Sequence, residues 1–444
     1  MVSLEKTMPE RKKIEAGNAV LEPRSTTPAS QKHHVTLHAG WLLALAALGV
    51  IPWLVAGAFY FRNAPIPPAN GPANAALATP LKPPSPGPWG RLSVTPIVVS
   101  PPLEYISSDW GRKGGADEWH FPGTPPEVME AFLVSTGLSR GQVSQLRAST
   151  RPDERTKGLI VRPDPELVRN LSPQVRAKLY LELAKTQLNF DQANPFAFYG
   201  ASAEAWLGGS LISPQTRQLV EPLLYSDGEH MFFADPEIIR SQVTDVEEQR
   251  RLAKTLLREN TVVVKLLIEN ESQIDGLAEY WGRGGRRTDL RPLLESVAHS
   301  MPDRSVDIVH LLPTFVRNHL YRYPRLTVAD LNRPLIANCL WSSLNFFNQK
   351  ADDRFLDPKI AVETLQRDYY IVESGFQLGD VVAFLDSNGN LFHVANYLAD
   401  GMVFSKNGTS PVAPWTITTI DRLKSFYRSR SSNPRLIYHR RNDL

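Results

Sequence analysis

Three short apolar runs lie close together near the C-terminal end: Asp380-Val381-Val382-Ala383-Phe384-Leu385, Leu391-Phe392-His393-Val394-Ala395-Asn396-Tyr397 and Met402-Val403-Phe404-Ser405. Between the first two sits Asp386-Ser387-Asn388-Gly389-Asn390, and between the second and third Asp400-Gly401. Asn, Asp and Gly tolerate the positive φ of tight turns, so both connections read as hairpins. Strands joined by turns this short pair antiparallel, since a parallel pair needs a long crossover. A short helix is expected just upstream, over residues 338–348. Residues 326–444 are therefore expected to form an α+β unit with an antiparallel sheet.

The texture before Pro324 differs. Ser172-Pro173 and Ser213-Pro214 each place a capping serine ahead of a proline suited to the first helical position. Apolar residues recurring every three to four positions predict further helices over 246–259, 262–281, 289–299 and 306–320. A mainly α-helical domain is expected over residues 105–325. It carries no motif that assigns chemistry.

The N-terminal part is of another kind. Residues 39–62 are almost uncharged and apolar. At about 1.5 Å per residue they would span a hydrocarbon core of about 30 Å as a transmembrane helix. Lys6, Arg11, Lys12, Lys13, Arg24 and Lys32 precede the run and only Arg62 closely follows it, which predicts a cytoplasmic N-terminus. A cleaved signal peptide, with Ala56-Gly57-Ala58 as its site, is the rival reading. Residues 1–38 are expected to be a disordered tail and residues 63–104, rich in proline, an extended linker. The lipid bilayer is the partner expected for residues 39–62. Overall the chain is expected to be α+β in class, with a net charge of +3 that points to no particular partner.

Cys339 is the only cysteine in 444 residues. At the start of a helix, a thiol gains from the aligned peptide dipoles, which favour the thiolate. His393, in the second strand-like run, is the natural base to pair with it. Ser405 and Asn407 lie two apart across the next turn, so either can orient the imidazole. Asn338 and the backbone N–H groups around Cys339 are candidates for an oxyanion hole, with Tyr321 and Tyr323 as further donors.

The order of these pieces resembles the NlpC/P60 family of papain-like cell-wall cysteine peptidases. The resemblance covers residues 330–415. It rests on Cys339 at a helix start, Gly379-Asp380-Val381-Val382 leading into a strand, and His393-Val394-Ala395-Asn396-Tyr397 followed by Gly401. It implies a papain-like fold in which Cys339 attacks an amide carbonyl, His393 moves the proton, and Ser405 or Asn407 orients His393. The substrate class implied is the stem peptide of peptidoglycan, with no metal or organic cofactor. The implied location is a bacterial inner membrane, with the C-terminal domains on the outer side and peptidoglycan or another envelope protein as partner; nucleic acid is not expected. The sequence departs from the family pattern in three places, one of them Ser405, which stands where the family has a histidine. Asn338 stands where an aspartate is usual, and Leu340-Trp341 follow the cysteine in place of Ser-Gly. These departures support the alternative of a catalytically inactive binding or scaffold protein that keeps the fold.

Overall fold

The computed structural model describes residues 84–106, 118–200, 202–300, 303–324, 336–410, 412–428, 431 and 433–444. The strands in chain order are β1 (Arg91–Val99), β2 (Trp119–Phe121), β3 (Thr150–Asp153), β4 (Gly158–Val161), β5 (Phe196–Tyr199), β6 (Tyr225–Ser226), β7 (His230–Phe233), β8 (Glu259–Leu267) and β9 (Ser305–Asp307). They continue as β10 (Tyr369–Val372), β11 (Val381–Leu385), β12 (Leu391–Ala399), β13 (Met402–Lys406), β14 (Trp415–Thr419) and β15 (Arg435–Arg441). They form four antiparallel sheets, ordered β1-β8-β9, β2-β4-β3, β5-β7-β6 and β10-β15-β11-β12-β13-β14.

The expected fold class needs correction. Among the described residues no helix is long and apolar enough to cross a membrane. The transmembrane helix expected at 39–62, the tail at 1–38 and most of the linker lie outside those residues. The end of the expected linker is no spacer, because Arg91–Val99 pairs with β8 along its full length. Nor are residues 105–325 mainly helical. The expected helix over 262–281 divides into β8 and a helix at Ile274–Trp281. The run Thr261-Val262-Val263-Val264 is β-branched, and such side chains lose rotamer freedom in a helix but pack well on a pleated surface. Likewise residues 306–320 hold β9 and a helix only at Thr314–His319, after Pro313.

Where capping chemistry is local, the helix starts fall as expected. Ser172 accepts a hydrogen bond from the Val175 N–H at 3.3 Å, and Ser213 one from the Thr216 N–H at 3.1 Å. The three C-terminal strands also fall where the turn residues place them.

One of the hydrophobic clusters crosses the expected boundary at 325/326. Val262, Val264 and Trp281 pack with Leu398, Phe404 and Ile417. Thr261, wholly buried, ties β8 to β14: its hydroxyl donates to the Ile417 carbonyl at 2.9 Å and accepts from the Ile417 N–H at 3.1 Å. Tyr280 donates to the Leu398 carbonyl at 2.6 Å. Residues far upstream thus hold the six-stranded sheet at its edge strand β14 and at the interior strand β12.

Candidate functional site

Asn338 starts the cysteine helix. Its Oδ1 accepts from the Trp341 N–H at 3.0 Å, so the helix runs Cys339–Leu344. That bond engages the Asn338 side-chain oxygen as a cap. The helix lies on one face of the six-stranded sheet, where Cys339, Leu340 and Leu344 pack with Val381, Ala383 and Val394.

His393 is on the other face. Its Cα partner in β11 is Phe384, and its ring lies 5.5 Å from the Phe384 ring and 4.6 Å from that of Tyr427. Phe384, Ala395 and Tyr397 form a cluster with Ile420 and Leu423 of the helix Ile420–Phe426, against which Tyr427 packs. Two residues beyond Val394, Asn396 returns to the cysteine side and donates to the Ser343 carbonyl at 3.1 Å. Alternation along β12 therefore sets Val394 and Asn396 toward Cys339, and His393, Ala395 and Tyr397 away from it.

A bulge sets this phase. Leu385 pairs with Leu391, whereas Phe384 pairs with His393, so β12 carries one extra residue, Phe392. A bulge of this kind re-aims the side chains that follow it. The expected Cys339–His393 pair is not formed. The residue that meets the cysteine is Val394, whose backbone N–H is directed at the thiol.

The other expected partners of His393 are present. Nε2 of His393 lies 3.0 Å from the Ser405 hydroxyl, which donates to Asn407 Oδ1 at 3.1 Å. Ser405 has one proton and spends it on Asn407, so we assign the His393 proton to Nε2. Nδ1 is then a bare acceptor, buried without a partner. Asn407 in turn donates to Glu259 Oε1 at 3.3 Å. The result is a relay, His393–Ser405–Asn407–Glu259, rather than a catalytic triad with the cysteine.

Electrostatics follow from burial. His393 is 1% exposed, and burial pushes its pKa down to about 3. Burial raises the Cys339 thiol above its ordinary pKa, only partly offset by the N–H groups of Val394 and Leu340 and by Lys406. The expected dipole effect does not prevail; the helix has only six residues. Lys406 is fully buried on the cysteine side, with its Nζ 5.4 Å above the Trp415 ring and donating to Gly408 and Ser410 carbonyls at 3.2 and 3.0 Å. Burial lowers its pKa to about 7, against the pull of Cys339 and Glu259. Burial also raises Glu259 to about 7, opposed by the Asn407 amide and Lys406.

Sequence reasoning missed Glu259 and Lys406. Glu259 sits at the end of a stretch that reads as helix, and nothing local links it to Asn407. Lys406 could have been found by alternation, since it shares a strand face with Phe404. The Tyr321 hydroxyl is engaged, donating to the Val262 carbonyl at 2.6 Å, while that of Tyr323 is buried without a hydrogen-bond partner.

Gly379-Asp380 has a structural task. Asp380, 1% exposed, accepts from Arg440 at 2.9 and 2.7 Å, from Arg283 at 3.4 Å and from the Gln377 N–H at 2.8 Å. Among the described residues no group of three or more His, Cys, Asp or Glu side chains could hold a metal ion.

The fold and this site define an α+β protein whose thiol and imidazole are separated by a sheet. No family model, curated protein or solved structure matches the chain.

Proposed function

We propose that this chain is a binding or scaffold protein that carries the element order of a papain-like unit without its hydrolytic pair. The observation behind this reading is that His393 lies across the sheet from Cys339. A base must come within about 3 Å of the thiol it activates. Val394 takes that position, and an imidazole held at a pKa of about 3 is a weak base for taking the thiol proton near neutral pH. The partner class carried over from the resemblance is a wall peptide or another envelope protein.

Alkylation of the folded chain by iodoacetamide near neutral pH tests the reading. Cys339 is expected to react at least about tenfold more slowly than a free thiol, because only the thiolate attacks and burial disfavours it. His393→Ala is expected to leave that rate unchanged. A fast reaction that His393→Ala slows by about tenfold or more would restore the hydrolase reading. Release of fragments from purified muropeptides by the wild-type chain, and not by Cys339→Ser, would do the same.

A further inference from the structure

The six-stranded sheet treats its two edges differently. β14 is covered: Thr261 of β8 binds both the N–H and the carbonyl of Ile417, and the Tyr321 N–H donates to the Trp415 carbonyl at 2.8 Å. β10, at the other edge, pairs only with β15 among the described residues. Its sequence is Tyr369-Tyr370-Ile371-Val372, and Tyr370 and Ile371 are 47% and 62% exposed. Natural sheets blunt an open edge with charges, prolines or bulges. β10 is short but carries none of these.

The phase of the ladder fixes which groups face outward. The Asn442 N–H donates to the Asp368 carbonyl at 2.9 Å, and the register runs on through Tyr370↔Arg440 and Val372↔Tyr438. Hydrogen-bonded pairs alternate along an antiparallel ladder. The carbonyl of Tyr369 and both the N–H and the carbonyl of Ile371 therefore point to the open side. Side chains alternate as well. Tyr369 and Ile371 share the face of the cysteine helix, against which Tyr369 packs. Tyr370 lies on the other face, where its side chain is hydrogen-bonded to Arg440, itself held by Asp380.

We propose that β10 is a self-association edge, at which two copies of this chain pair antiparallel about a two-fold axis through Tyr370 and extend the sheet across both. In that register the Ile371 N–H of each copy donates to the Tyr369 carbonyl of the other. Tyr370 meets Tyr370 on one face, and Ile371 meets Tyr369 on the other, cross-strand pairs of the kind that stabilise antiparallel sheets. Charge complementarity favours a second copy as the occupant. Arg367 precedes the strand and Glu373 follows it, and both are exposed. Antiparallel pairing sets the start of one strand against the end of the other, so Arg367 of each copy meets Glu373 of the other at both ends. The surface goes beyond the binding-or-scaffold reading and asks nothing of Cys339. Four residues a side make a small contact, so a Kd of roughly 1–100 μM is expected.

The test is sedimentation velocity of the full chain from about 1 to 200 μM, a range that brackets that Kd, in a non-ionic detergent that masks the apolar run at 39–62. A reversible dimer is expected. Ile371→Pro removes the outward N–H and leaves the bonds to β15, so it should weaken association by at least about tenfold without lowering the Tm of the dilute chain. Glu373→Arg sets like charges together at both ends and should weaken it by about three- to tenfold; adding Arg367→Glu should restore it. Should Ile371→Pro fail to fold, Tyr370→Cys in a Cys339→Ser background reads the same geometry. Its two Cα atoms would lie about 4.5 Å apart across the axis, within disulfide reach, so oxidised glutathione should yield a covalent dimer. A monomer at every concentration, association indifferent to these substitutions, or no disulfide-linked dimer would overturn the proposal.

Discussion

Acidification should expose the cost of charging His393. The folded chain holds this imidazole at a pKa of about 3, against an ordinary 6.5. Between those values the unfolded chain binds more protons than the native one, so stability rises with pH and is lost as pH falls below 6.5. From about pH 7.5 to about pH 4.5 the linkage amounts to about 2–3 kcal/mol, taking about 1.4 kcal/mol per pKa unit over the two units traversed. Glu259 works in the opposite sense. Its folded pKa of about 7 exceeds the ordinary 4.5, so the native state binds the extra proton and gains stability as pH falls through that window. The wild-type profile alone therefore mixes the two, and a variant is needed. His393→Gln keeps a donor for Ser405 and removes the titration. Urea unfolding midpoints at both pH values should show the wild type losing about 2–3 kcal/mol more than His393→Gln on acidification. Equal losses, or an imidazole that titrates near its ordinary value by NMR, would refute the burial argument.

Two more perturbations address the frame around the site. Asp380→Ala leaves Arg440 and Arg283 without the carboxylate they share, so a stability loss of about 3–5 kcal/mol is expected in urea; a loss below about 1 kcal/mol would show that the pair is solvated. Gly379→Ala meets two obstacles, a backbone φ of +85° and a new Cβ only 2.2 Å from Phe347 Cε2. It should lower Tm by several degrees through strain and displacement of the Phe347 ring, a loss of about 1–3 kcal/mol; an unchanged Tm would contradict that geometry.

The residues differ in how much of this their own stretch of chain made visible. Asn338, Ser172 and Ser213 announce helix starts because a cap is a contact between residues three apart. Asp386 to Asn390 and Asp400-Gly401 announce hairpins because turn conformations are properties of the turn residues. The interval Ser405–Asn407 likewise predicts two side chains on one side, and they are hydrogen-bonded. By contrast, Val262 to Trp281 carries apolar residues that suit either period. Only the pairing with β1 and β9 makes its first half a strand.

What the sequence by itself determined was therefore the local frame: capped helices, the C-terminal meander, and the pairing of His393 with Ser405 and Asn407 around one turn. Tertiary structure decided which side of the sheet each group occupies. In Phe392-His393-Val394 every residue is buried or partly buried, so no contrast of polar and apolar positions marks the phase. One extra residue in β12 inverts that phase, because side chains alternate with a period of two. The same holds for Glu259 and Asn407, which are hydrogen-bonded across 148 positions of the chain. Their meeting depends on how β8 packs against β14, a long-range contact with no local signature.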